Sequence, residues 1–195
     1  MAAFGLLAGV ALAGCGATPA PATTAPTSSA ASSASSAPND APTIPQPELD
    51  TTRIAGSPCS MLSTEQASEV GGGARGEVRE SPLGPSCRWL ASDTPVKNHF
   101  SITVNNQLGG IAQLYARKNN FKVWEPGQVG GYPSVVAMDA DARSKGLCRL
   151  EMGTAQKTVV AVQVQLTVGA ADYANPCPRA IGIGEMVIAT LKGGR

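Results

Sequence analysis

Val160-Ala161-Val162-Gln163-Val164-Gln165-Leu166 alternates apolar and small or polar residues without interruption. A period of two puts Val160, Val162, Val164 and Leu166 on one face and Ala161, Gln163 and Gln165 on the other, as in a strand with one side in a core and one toward water. Such a strand needs partners patterned like itself. Phe100, Ile102 and Val104, interleaved with Ser101 and Thr103, supply one. Further extended stretches read at 76–80, 87–91, 121–124, 132–138 (after the turn Gly130-Gly131) and 147–152. The short connections between them favour antiparallel neighbours.

Three segments carry helical spacing. Ser63-Thr64-Glu65-Gln66 is a capping-box sequence that opens a short helix through Val70, stopped by the glycines at 71–73. In 111–117, Ile111, Leu114 and Tyr115 share one face, and Asn119-Asn120 ends the run. Asn175-Pro176-Cys177-Pro178 opens the last helix, with Asn175 as the expected N-cap and a proline in the first turn. Ala180, Ile181, Ile183, Met186, Val187, Ile188 and Leu191 give that helix more than one apolar stripe, so it is expected to be largely buried. The predicted order is α-β-β-β-α-β-β-β-β-α, an α+β single domain with a mostly antiparallel sheet of about six or seven strands packed with three helices. One sheet face packs on the terminal helices, and the middle helix covers an end or the other face.

Ahead of the domain, residues 1–14 are an apolar Ala/Gly/Leu/Val run with one Phe4, too short to span a bilayer, which needs roughly 17–25 such residues. Leu12-Ala13-Gly14-Cys15 at its end resembles the bacterial lipobox, which implies a lipoprotein signal peptide and lipid attachment at Cys15. No Lys or Arg precedes Phe4, so an upstream stretch carrying the positive n-region is expected. Residues 15–57 are Pro/Ala/Ser/Thr-rich, and a chain so poor in large apolar groups cannot offset the entropy of ordering it. They are predicted to be a disordered tether with a reach of about 35–40 Å. Its Thr/Ser/Pro mixture fits O-glycosylation and a plain solvated spacer equally. Residues 58–195 form the predicted globular domain.

The 195-residue chain holds 15 Lys and Arg against 14 Asp and Glu, a formal net charge of +1 with no block of one sign. That balance argues against nucleic acid as a partner. Membrane contact is expected through the lipid alone, by N-terminal diacylglycerol and acyl chains on the extracytoplasmic face of the cell membrane. Of five cysteines, four remain after Cys15, an even set in a chain assigned to an oxidising compartment. Of the three pairings that four cysteines allow, Cys59 with Cys87 and Cys148 with Cys177 each join a helix edge to a nearby strand. Zinc needs close-spaced ligand pairs such as Cys-x-x-Cys, which the sequence lacks, so no metal is expected.

Catalytic groups are sparse. His99 is the one histidine. A Ser-His-Asp arrangement would have to recruit Asp93, Asp139 or Asp141, and no Gly-x-Ser-x-Gly elbow presents a serine. Asp139-Ala140-Asp141 falls short of a calcium cage and reads as turn chemistry. Trp89, Trp124 and Tyr132 are candidate ligand-contacting aromatics, although core packing is the simpler account of each. No cofactor is expected. Two functions fit: a noncatalytic binding or interaction module contacting an envelope protein, lipid or glycan, and an envelope hydrolase or hydrolase accessory using His99.

Ser57-Pro58-Cys59-Ser60-Met61-Leu62 before a helix, Cys87-Arg88-Trp89 in a strand, Gly130-Gly131-Tyr132-Pro133 before another and Asn175-Pro176-Cys177 opening the last helix together resemble the actinobacterial lipoprotein family known as domain of unknown function 3558. The resemblance spans roughly residues 56–191. It implies a secreted, lipid-anchored, disulfide-stabilised domain in which the cysteines pair as above, and it implies no activity.

Overall fold

The computed structural model describes residues 40–73, 75–91 and 98–193. The expected signal peptide, Cys15 and the tether through residue 39 lie outside the described residues. Strands β1 (Gly76–Arg79), β2 (Ser86–Leu90), β3 (His99–Asn105), β4 (Val123–Val129), β5 (Tyr132–Met138), β6 (Leu147–Ala155) and β7 (Thr158–Gln165) form one sheet in the order β1-β2-β3-β7-β6-β5-β4. Every neighbouring pair is antiparallel. β7 lies in the middle, with Val160, Val162 and Val164 fully buried. The strand with the strictest alternation therefore closes two meanders, β1-β2-β3 and β4-β5-β6, into a single sheet. Gly130 and Gly131, both at positive φ, make the two-residue turn between β4 and β5 that such a hairpin requires.

Among the described residues, four α-helices accompany the sheet: α1 (Thr52–Gly56), α2 (Thr64–Glu69), α3 (Ile111–Tyr115) and α4 (Cys177–Leu191). α4 lies against β6, β7 and β4 and buries Ala180, Ile183, Val187 and Ile188, spaced as one helical stripe. α2 starts in a full capping box: Ser63 Oγ accepts from Gln66 N–H at 3.2 Å, and Gln66 Oε1 accepts from Ser63 N–H at 2.8 Å. At α4 the expectation fails. Pro176, not Asn175, holds the cap position, no side chain caps the helix, and Asn175 N–H goes to Asp172 O in the preceding turn. α3 covers the opposite sheet face at one end, where Leu114 packs with Val135 and Ala137. β5, sandwiched between α3 on one face and the main core on the other, is buried at all seven positions.

Two disulfides cross-link this frame. Cys59, in a 3₁₀ turn at Pro58–Met61, joins Cys87 of β2, and Cys148 of β6 joins Cys177 at the start of α4.

The ordered body begins earlier than composition indicates. Residues 40–57, read as tether, contribute Ile44, Leu49 and Ile54 to the main core, with 8%, 7% and 1% of their surfaces exposed. Leu49 N–H donates to Thr154 O at 3.0 Å, and Tyr132 Oη donates to Pro47 O at 3.1 Å, so this strap is fastened to β6 and β5. Averaged composition hides three isolated apolar residues among prolines and polar groups. The globular unit thus includes residues 40–57 and does not start at 58.

Candidate functional site

The sheet has two unlike faces. One carries the core under α4. On the other, among the described residues, no element lies over β2, β3, β7 and β6 between α3 and the β1–β2 turn. Register aligns the side chains of that face in rows. Arg88, Ser101, Gln163 and Arg149 are successive cross-strand partners, and so are Ser86, Thr103, Ala161 and Glu151. In the first row arginines flank Ser101 and Gln163, and in the second Ser86 and Glu151 flank Thr103 and Ala161, so the surface is hollowed into a trough over the middle strands.

One hollow of about 360 Å³ lies over Arg88, Ser101, Thr103, Gln163 and Arg149, rimmed by Arg79 and Leu83. A second, of about 580 Å³, continues toward α3 and meets Leu114, Phe121 and Glu151. Leu83, Arg149 and Gln163 belong to both, so the two form one groove. The β1–β2 turn that carries Leu83 is pinned at Gly84, which holds φ +134° with its Cα against β3; a Cβ there would come within 2.1 Å of Val104 O. Only glycine permits that approach.

Two polar atoms in the trough lack partners. Glu151 has 3% of its surface exposed; Oε1 accepts from Arg149 Nε at 2.5 Å, while Oε2 is buried without a hydrogen bond. Burial pushes this carboxyl above the ordinary glutamate range, and the Arg149 charge opposes that only in part. Arg88 Nε is likewise buried without an acceptor. Ser86 is satisfied, sharing a hydrogen bond of 2.9 Å with Thr103 Oγ1.

His99 opens β3 on the same face, one row away, between Leu90 and Gln165. Partial burial, and then the Arg88 charge, hold its imidazole below the usual histidine range. Among the described residues, no hydrogen bond or ion pair joins His99 to a carboxylate. Asp93 lies outside the described residues. Asp141 accepts from Arg143 Nε at 2.9 Å and Nη2 at 2.6 Å, which holds its carboxyl near a pKa of about 2. It also accepts from Arg143 N–H, the turn role its sequence suggests.

The three aromatic candidates do not line the trough. Trp89 is 1% exposed and stacks on Phe100 at 5.0 Å in the main core, so it offers no face to a ligand. Tyr132 is buried, its hydroxyl spent on Pro47 and its ring under Lys192. Trp124 is half-buried against Tyr115 and Phe121, where it steadies α3. The residues that do form the trough were in plain view as the polar half of alternating strands. Nothing in one strand tells a solvated face from a binding face, because that distinction depends on which neighbours register brings alongside.

A family model described as a protein of unknown function, DUF3558, matches residues 10–190. The chain belongs to the DUF3558 family. No curated protein and no solved structure matches it. In this DUF3558 chain the sequence landmarks sit at the joints of the frame: Cys59 and Cys87 fasten the 3₁₀ turn to β2, Gly130-Gly131 turns β4 into β5, and Cys177 ties α4 to β6.

Proposed function

We propose that this DUF3558 chain is a lipid-anchored lipoprotein on the extracytoplasmic face of the cell membrane, acting as a noncatalytic binding module of the envelope. Its ligand, from an envelope protein, lipid or glycan, lies in the trough across β2, β3, β7 and β6. The observation that carries the binding reading is the pair of buried, unpartnered polar atoms there, Arg88 Nε and Glu151 Oε2. Folded proteins leave few such groups, and a ligand that reaches into the trough supplies what the chain withholds. Among the described residues no carboxylate is bonded to His99, and the charge that helps burial lower its pKa is a cation, Arg88, which favours binding over hydrolysis as the work of this face. The lipobox-like Leu12-Ala13-Gly14-Cys15 supports the anchor, and two disulfides suit an oxidising compartment.

Native mass spectrometry of the chain purified from its own envelope tests the binding reading. The expected result is a retained molecule on the native chain and none on Ser101→Trp, whose indole fills the trough. Equal retention by both would place the ligand elsewhere. For the anchor, Cys15→Ser should abolish lipid labelling and release the chain or leave it unprocessed, whereas unchanged labelling would refute attachment at Cys15.

A further inference from the structure

We infer that the trough grips its ligand through an anionic group, a carboxylate or phosphate, seated between Arg88 and Arg149 over Ser101 and Gln163. This rests on the trough being a ligand site and adds the chemistry it selects. The row Arg88, Ser101, Gln163, Arg149 presents guanidinium, hydroxyl, amide and guanidinium in consecutive register, and every member has a hydrogen to donate. Arg88 and Arg149 stand on the outer two of the four strands with Ser101 and Gln163 between them, and two guanidiniums bordering one hollow suit an oxyanion with several acceptor oxygens.

Charge points the same way. Arg79 is paired with Glu77 at 2.6 Å, and Arg149 gives Nε to Glu151, its two terminal nitrogens bonding to no group among the described residues. Glu77 also faces Arg88 across β1 and β2, but its carboxylate is turned to Arg79. Arg88 is in no ion pair among the described residues, and its Nε is already stripped of water. Glu80, just past the end of β1, is the one carboxylate lining the smaller hollow; in its continuation lie Asp139 and Glu151, the latter bonded to Arg149 with its carboxyl pushed toward the neutral form by burial. A neutral sugar would leave the Arg88 charge uncompensated, and a cation would be repelled. Beyond Arg149 the groove runs on to Leu114 and Phe121, so an apolar continuation of the ligand has a place to lie.

The test is calorimetric titration of the full chain carrying Cys15→Ser, with amphiphiles of one tail and different heads below their micellar concentrations. Dodecyl phosphate and dodecanoate should bind at least tenfold more tightly than dodecyl maltoside or dodecyltrimethylammonium. Arg88→Gln should bring the affinities for dodecyl phosphate and dodecanoate down to that for dodecyl maltoside, and Arg88→Lys should keep part of the preference. Inorganic phosphate distinguishes the sources: affinity equal to that of dodecyl phosphate assigns the site to a free anion, and much weaker affinity assigns it to a headgroup with a tail. Equal binding of all heads, blocked by Ser101→Trp, would overturn the anion inference while sparing the trough. No binding by any probe, or binding that Ser101→Trp does not affect, would overturn both.

Discussion

Glu151 places a carboxyl in the sheet face where burial disfavours its ion more than Arg149 favours it. A carboxyl whose pKa rises on folding stabilises the folded chain below its unfolded pKa, and that contribution is lost as the pH climbs through the folded value. Glu151→Gln should therefore raise the urea midpoint at pH 8 and leave it nearly unchanged at pH 4. A lower midpoint at pH 8 would mean that the pair with Arg149 outweighs burial. His99 has the opposite sign. Its imidazole pKa falls on folding, so the unfolded chain takes up a proton that the folded chain resists, and stability declines as the pH drops below about 6.5. His99→Gln should flatten the stability profile between pH 7.5 and 5, and an unaltered slope would contradict this. At this scale the sequence was partly legible. Trp89 shares its strand parity with Cys87, whose disulfide fixes that face inward, so parity alone was enough to assign the indole to the core.

Elements with a clear period were readable because a sheet or a helix imposes that period on every residue in it. β3, β7, α2 and α4 lie close to where alternation, the capping box and the apolar stripe put them. The strap was not readable. Ile44, Leu49 and Ile54 recur at intervals of five, which match neither strand nor helix, and they are buried only by joining a core built from elements farther along the chain. Burial of each such side chain contributes roughly 1.5–3 kcal/mol. A chain beginning at residue 58 should accordingly unfold at a clearly lower denaturant midpoint than one beginning at residue 40. Matching midpoints would show that the strap only rests on the surface. The trough was hidden for a related reason: its residues come from four strands, and only the register of all four aligns them.

Across the whole molecule, the disulfides fasten the layer under the core face to the sheet, one near β2 and one at β6. With loops of 28 and 29 residues, each contributes about 3–4 kcal/mol in the chain-entropy account. Replacing Cys148 and Cys177 together by serine should lower the chemical stability by that order, read as a shift in the guanidinium midpoint, and an unchanged midpoint would assign the link no stabilising role. The sheet held in this way exposes one polar, dished face on which two buried polar atoms, Arg88 Nε and Glu151 Oε2, lack partners, and the binding account depends on that face. Amide chemical-shift mapping of the isotope-labelled chain titrated with dodecyl phosphate tests it most directly. The account predicts shifts concentrated at Arg88, Ser101, Gln163 and Arg149, with α4 and the Tyr132 turn silent. Shifts gathered on α4 or around Tyr132 and Lys192, with the trough unmoved, would contradict it.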